Sequence, residues 1–381
     1  MKSYALLLAT FVGTAALGAC SATTSNTDNT SSSGSSGSTT DPNAGTEIGK
    51  GDGSAASVKL VELGVFPATM KPVDLAFHTE RPNEAWVVGY GDDAVQVGAD
   101  ADSDAPTWKR YKDPAAAHFM HKPPAVAAGV GDTWGTCGDN DNGQNAKDSD
   151  GNANLFMGPA LFSANLQIFA TRATELGSHL DMLHNTPFCR GIAHQEANVY
   201  WVFNAFDSSI DKYNFNHDHG PGNDDHSDGE IYRYVKGEVK GSTDGTPSHV
   251  FFDGSDNFLY IADTGNQRIV RLDTTSGTKQ GVLARQLERL AGQGNMMGAK
   301  LEEIVPAGVL EAPVGIEVKG DLIYVTDAAT STFHVFDKKG KEHRKLATDL
   351  PAGSLAGFVF GPGGKIYFTD KVGGRLMRID P

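Results

Sequence analysis

Three stretches in the C-terminal third of the chain repeat one another at fixed internal spacing, and few folds satisfy that constraint. They are His249–Asp273 (HVFFDGSDNFLYIADTGNQRIVRLD), Val314–Asp337 (VGIEVKGDLIYVTDAATSTFHVFD) and Leu355–Asp380 (LAGFVFGPGGKIYFTDKVGGRLMRID). Each holds a short apolar strand, a Gly/Asp turn, a strand ending Tyr-x-x-Asp, and a third strand closing on Asp. The Tyr–Asp pairs are Tyr260/Asp263, Tyr324/Asp327 and Tyr367/Asp370, and the closing Asp273, Asp337 and Asp380 each lie ten residues further on. Equal spacing inside units with variable gaps between them is expected of propeller blades. Each blade is a small sheet that must stack on neighbours to bury its faces.

Upstream the pattern thins. Phe188–Asn214 carries a fourth copy with Trp201 in the aromatic slot, Asp74–Gly89 a fifth with Trp86, and Pro124–Ala170 an irregular sixth interrupted by a polar insertion. YIADTGNQRIVRLD resembles the NHL family of β-propellers, strongly over Pro247–Asp273 and well over the next two units. The resemblance implies an all-β fold, a six-bladed β-propeller of NHL type. The last unit stops at Pro381 after its third strand, and the strand-like VKLVELGVF (Val58–Phe66) has no partner near it. Placing that N-terminal strand outermost in the last blade closes the ring and leaves no open sheet edge.

Residues 1–20 (MKSYALLLATFVGTAALGAC) have one Lys, an apolar run and then small residues, the pattern of an export signal rather than a membrane span. Leu17-Gly18-Ala19-Cys20 resembles the bacterial lipobox. That resemblance implies cleavage after residue 19, lipidation of Cys20, and a chain held at the cell envelope; Ser21 favours the outer membrane. Residues 20–56 are dominated by Ser, Thr, Gly, Asn and Asp, too polar to offset their ordering entropy, and are expected to form a disordered tether. The propeller is expected over 57–381, as a monomer.

The formal charge of −15 argues against nucleic acid as a partner and is compatible with cations. With Cys20 lipidated, Cys137 and Cys189 remain, and an even pair in an exported chain suggests a disulfide. Their places at neighbouring blades, near one face, make the bridge feasible.

Nine of the twelve histidines lie between His118 and His249. The densest group is His217-Asp218-His219-Gly-Pro-Gly-Asn-Asp224-Asp225-His226-Ser227-Asp228, on a loop between two strands. Imidazole nitrogens beside carboxylates suit a transition metal, zinc or copper above others; His217, His219, Asp224, Asp225, His226 and Asp228 are the candidate ligands. An alternative metal set is His118, His121, His179, His184 and His249, of which His121, His184 and His249 stand near the starts of innermost strands and could meet in the axial channel. Blade order then predicts two separate histidine groups on opposite faces. Calcium is a further candidate at Gly138–Asn154 (GDNDNGQNAKDSDGNAN), although the spacing of a calcium loop is not reproduced.

Two functions compete. One is a lipid-anchored propeller that binds a protein or small-molecule ligand and carries a His/Asp metal site. The other is a metal-dependent lyase or hydrolase working in the channel, with Arg190 as candidate electrophile. Resemblance to the peptide-amidating lyases would require Pro-His-Gly/Ser/Asp at three strand starts; here they read Pro72-Val73-Asp74, Pro247-Ser248-His249 and Pro313-Val314-Gly315, so that ligand triad does not carry over. Nor can the acidic calcium site of the regucalcin-like propellers be assembled beyond Asp74. Neither a Gly-x-Ser-x-Gly elbow nor a GxxxxGK[ST] phosphate loop occurs.

Overall fold

A strand covered on both faces needs no polar face, and the second strand of each repeat unit shows this. Ala85–Gly89, Val199–Asn204 and Ile366–Asp370 are buried throughout, and Phe258–Asp263 and Leu322–Asp327 at all but their first residue. The computed structural model, which describes residues 44–141, 156–172, 174–284 and 287–381, arranges the strands as six sheets. From the axis outward, blade 1 is Pro72–Phe77, Ala85–Gly89, Ala94–Gly98 and Trp108–Tyr111. Blade 2 is Val126–Ala128, Thr133–Cys137, Pro159–Ser163 and His179–Met182. Blade 3 is Cys189–Glu196, Val199–Asn204, Ser209–Asn214 and Glu230–Tyr234. Blade 4 is Val250–Asp253, Phe258–Asp263, Arg268–Asp273 and Leu301–Val305. Blade 5 is Pro313–Lys319, Leu322–Asp327, Thr332–Asp337 and Glu342–Ala347.

Blade 6 takes its inner three strands from the C-terminus, Leu355–Phe360, Ile366–Asp370 and Arg375–Asp380. Its outermost strand is Lys59–Val65, antiparallel to Arg375–Asp380 with Lys59 opposite Asp380. The innermost strands touch in succession around the ring, that of blade 6 meeting that of blade 1. The chain is a six-bladed β-propeller. Trp108 of blade 1 donates its indole N–H to Leu63 O at 2.9 Å, tying the N-terminal strand to the first blade as well.

The aspartates of the repeat have a common task. Asp263 accepts the Lys240 backbone N–H and the Arg268 guanidinium, each at 2.7 Å. Asp327 accepts the N–H groups of Glu311 and Ala312, and Asp370 holds Gly373 N–H and Arg375. A buried carboxylate at the end of the second strand thus fixes the chain entering the blade or the turn leaving it. The tyrosine three residues earlier is buried in every case.

Residues 1–43 lie outside the described residues, and with them the signal, Cys20 and the first part of the expected tether. From Ala44 the expectation of disorder is corrected. Ile48 is buried among Tyr324, Phe333 and Val335, Glu47 accepts from Lys319 Nζ at 2.7 Å and from Tyr324 Oη at 2.5 Å, and Arg344 donates to Ala44 O. The isoleucine and the glutamate are inconspicuous in a polar run. Among the described residues no helix is long and apolar enough to cross a membrane.

Two insertions depart from the repeat, and both reach back to the preceding blade. Residues 215–229, between the third and fourth strands of blade 3, bond to the outer edge of blade 2 through His219 N–H to Leu180 O (3.1 Å) and Gly222 N–H to His179 O (2.8 Å). From the blade 4 insertion, Thr278–Gln280 pairs antiparallel with Gly292–Met297, and the latter strand pairs in parallel with Glu230–Tyr234 of blade 3. Each insertion covers an edge that would otherwise expose unpaired backbone groups. Blades 2 and 3 are joined again by the disulfide Cys137–Cys189, with Cα atoms 5.9 Å apart.

Blade 3 also buries an ion pair. Asp211 accepts from Arg233 Nε at 2.8 Å and Nη2 at 2.7 Å, and from Asn204, Thr186 and Ser209. Burial opposes ionisation, but the guanidinium and these hydrogen bonds outweigh it and hold the carboxyl below its usual range. Asp211→Ala leaves the Arg233 charge buried beside Asp207 alone and is expected to cost about 3–5 kcal/mol in urea unfolding. Because the folded value is depressed, the stabilisation is complete above the ordinary carboxylate value and disappears as pH falls through the folded one. Asp211→Asn should therefore flatten the acid limb of the stability profile; an unchanged limb would contradict this assignment. Reduction of the Cys137–Cys189 bridge, which spans 52 residues, is expected to cost about 4 kcal/mol on loop-entropy grounds, read as a lower urea midpoint.

Candidate metal centre

The two insertions deliver side chains to one place, the outer edge of blade 2 where blade 3 overlaps it. His179 opens the outermost strand of blade 2, where a β-bulge makes Leu180 the extra residue between His179 and Asp181. His219 and His226 come from the blade 3 insertion, and Glu288 from the blade 4 insertion. One ligand atom each of His179, His219 and His226 lies within 4.8 Å of the other two, and the same holds for His184, His226 and Glu288.

Hydrogen bonding separates the two sets. His179 Nδ1 lies 2.7 Å from Leu176 O and His219 Nδ1 2.8 Å from Gly220 O. A carbonyl only accepts, so both Nδ1 atoms carry the proton and Nε2 holds the free lone pair. His226 Nδ1 lies 2.8 Å from Glu288 Oε2, which His184 Nδ1 also approaches at 2.7 Å, while His184 N–H donates to Glu288 Oε1 at 2.9 Å. The second set is thus a carboxylate holding two imidazoles by their Nδ1 atoms. The first leaves three imidazoles whose Nε2 atoms have no such duty, and those of His219 and His226 are buried without a partner.

The electrostatics follow from burial. Desolvation pushes His179 down to about 3, with the neighbouring imidazoles adding to it, and lowers His219 also. For His226 burial acts the same way, but the Glu288 carboxylate outweighs it and the value rises. Glu288 is itself held down at about 2, its burial overcome by hydrogen bonds from His184 and His226. Asp181 is fully buried and desolvation pushes it up to about 8.

The expected division into two histidine groups on opposite faces is corrected. His179 and His184 flank an outermost strand, not the axis, and stand with His219 and His226. His217 does not join them; its side chain is 96% exposed and sits 3.4 Å from Asp228. Asp225 caps Ser227 N–H, Asp228 receives His217 N–H, and Asp224 is exposed. His118 packs on the rings of Phe119 and Phe156.

The expected meeting of His121, His184 and His249 in the channel does not occur. His121 Nδ1 pairs with Asp93 at 3.0 Å, and His184 is held by Glu288. His249 does reach the axis, where its Nε2 lies 3.0 Å from Pro124 O and its Nδ1 3.8 Å from Asp74 Oδ1. Since His249 belongs to blade 4 and Asp74 to blade 1, that contact spans the ring and narrows the channel to side-chain contact. A Cβ on Gly357 would lie 2.1 Å from Asp74 Oδ1 and 2.8 Å from His249 Cε1, so glycine is required there. Asp74 is raised by burial, partly countered by His249, and Glu317 is raised well above normal by burial and by Asp74. Arg190, the candidate electrophile, is buried in an ion pair with Asp139, which also accepts from Tyr90 Oη at 2.6 Å. The calcium candidate falls mostly on residues 142–155, outside the described residues.

Glu288 escaped the sequence reading. It stands 62 residues beyond His226 in a segment (GVLARQLERL) with no repeat signal, and only the parallel pairing of the insertion brings it in.

No family model matches the chain, and no curated protein matches it. Solved structures do. The streptogramin B lyase structure is similar with a TM-score of 0.51 at 12% identity, over 85% of this chain and 97% of that one. An auxiliary nutrient binding protein from Bacteroides thetaiotaomicron gives 0.53 at 12%, over 84% and 76%, and one from Bacteroides ovatus gives 0.51 at 14%, over 85% and 76%. At these identities the likeness shows the fold. It is the propeller that is shared, and the site must be judged on its own residues.

Proposed function

We propose that this protein is an exported propeller, held at the bacterial envelope through Cys20, that binds a protein or small-molecule ligand and carries a transition metal on His179, His219 and His226. The observation that carries the metal reading is the orientation of three imidazoles by acceptors at Nδ1, with their Nε2 atoms left to one another. A metal-binding histidine commonly donates its other N–H to a carbonyl or carboxylate, which fixes the tautomer and raises ligand basicity. Leu176 O, Gly220 O and Glu288 supply all three such partners. Nitrogen donors favour zinc or copper over calcium.

Binding is preferred to channel chemistry for a structural reason. The axis is bridged by His249 and Asp74, and the proposed metal lies at the rim, away from it. The same fold serves proteins named for nutrient binding and a lyase, so fold alone supports neither choice. The sequence features that support export and anchoring are the apolar run, the residues Leu17–Cys20 and the polar segment that follows.

The protein purified without chelators is expected to contain about one zinc or copper per chain by elemental analysis. The His179/His219/His226→Ala triple variant should lose it, whereas His217→Ala and the His121/His249→Ala double variant should keep it. Retention by the first triple, or loss in the double, would contradict the assignment. Glu288→Gln, which keeps the shape but weakens the hold on His226, should lower zinc affinity about 10–100-fold in a competition titration; an unchanged affinity would remove Glu288 from the site.

A further inference from the structure

The three candidate ligands are not held alike. His179 and His219 are oriented by backbone carbonyls close in sequence, Leu176 O for the one and Gly220 O for the other. Among the described residues, the ring of His226 has Glu288 Oε2 as its hydrogen-bond partner, at 2.8 Å, and that carboxylate comes from the insertion of another blade. What holds Glu288 therefore decides where His226 points. The other two hydrogen bonds to Glu288 both come from residue 184, whose backbone N–H reaches Oε1 at 2.9 Å and whose Nδ1 lies 2.7 Å from Oε2.

Resting on the metal occupancy proposed above, we infer that His184 is a positioning residue for that metal. Without touching the ion, it clamps Glu288, and Glu288 in turn fixes His226 with Nδ1 protonated and Nε2 turned to the metal. His184, His226 and Glu288 then form no second metal site, although their ligand atoms also lie within 4.8 Å of one another.

The clamp is rigid on every side. Donors from one residue engage both carboxylate oxygens, so Glu288 cannot turn about its last bond without losing one of them. The His184 side chain is 3% exposed, and its ring stacks on Phe156 with centroids 3.7 Å apart and planes at 22°. Its carbonyl accepts Tyr213 Oη at 2.8 Å. The main chain holds the two insertions together beside the carboxylate, with Ala291 N–H donating to Gly229 O at 2.9 Å and Gly229 N–H to His226 O at 3.1 Å. An ionised carboxylate only accepts, so both imidazoles meet Glu288 as Nδ1–H donors. An ion among these three groups would have to displace hydrogen bonds already made, whereas His226 Nε2 is buried with none. Partners of this outer kind orient a ligating ring and raise its basicity. The metal site is then complete only when the blade 4 insertion is docked.

The test measures the zinc affinity of the full chain by competition titration. His184→Leu keeps the backbone N–H but loses the Nδ1 donor, and is expected to weaken zinc binding about tenfold. His184→Asn places an amide N–H close to the position of Nδ1 and should restore the affinity, a rescue that the loss of a metal ligand would not allow. Because His184 acts through Glu288, the His184→Leu/Glu288→Gln double variant should bind zinc no more weakly than Glu288→Gln alone. In the zinc-loaded wild type, nitrogen NMR should show Nδ1 protonated on both His184 and His226. Wild-type affinity in His184→Leu, or losses that multiply in the double variant, would overturn the positioning role while leaving the metal site intact. So would loss of the metal in His184→Asn, or a His184 Nδ1 without its proton in the zinc-loaded chain, either of which would make His184 a ligand. Failure of the folded wild-type chain to bind zinc would instead defeat the metal reading itself, and this inference with it.

Discussion

The pairing of Lys59–Val65 with Arg375–Asp380 is the contact on which the ring depends. Each blade buries its faces only because a neighbour stands on either side, and the N-terminal strand completes the blade that is both last and adjacent to the first. Without it, blade 6 would present the edge of Arg375–Asp380 to solvent, and Trp108 would lose the Leu63 carbonyl that ties blade 1 to it. The closure is long in sequence, joining the two ends of the fold. The short docked segment from Ala44 to Ile48 adds a second fastening against blades 5 and 6.

Within that ring, the histidine cluster lies where the repeat is broken. Blades 4, 5 and 6 keep the Tyr-x-x-Asp pattern, and their buried aspartates are used up in holding turns and entering chain. Blades 2 and 3 depart from it. There the disulfide, the Asp211–Arg233 pair and the histidine cluster lie close together in the fold, and insertions from blades 3 and 4 overlap backward like shingles. The overlap brings His219, His226 and Glu288 onto an edge strand that already carries His179 and Asp181. A regular blade junction would offer only apolar faces at this point.

The sequence and the structure agree where the signal is local and periodic. Tyr260/Asp263, Tyr324/Asp327 and Tyr367/Asp370 mark their strands because each pair performs the same task within its own unit. The missing fourth strand of the last unit, together with the stranded Val58–Phe66, is enough to predict closure. Cys137 and Cys189 could be paired from blade positions. HLDM in blade 2 does not look like a fourth strand, so the sequence alone puts His184 near the start of the next blade and groups His179 with it in the alternative channel set, whereas both flank an outer edge. The loop histidines His219 and His226 stand out by density, but so does His217, and only the fold shows that it points to solvent. Glu288 depends on a parallel pairing across blades that no short-range pattern encodes.

The metal proposed on His179, His219 and His226 would sit at the rim between blades 2 and 3. An anomalous difference map from crystals of the zinc-loaded protein, recorded on both sides of the zinc absorption edge, tests it most directly. One strong peak is expected, within about 2.0–2.1 Å of the three Nε2 atoms. A peak at the axis beside Asp74 and His249, a peak at His217, or no peak in fully loaded crystals would contradict it.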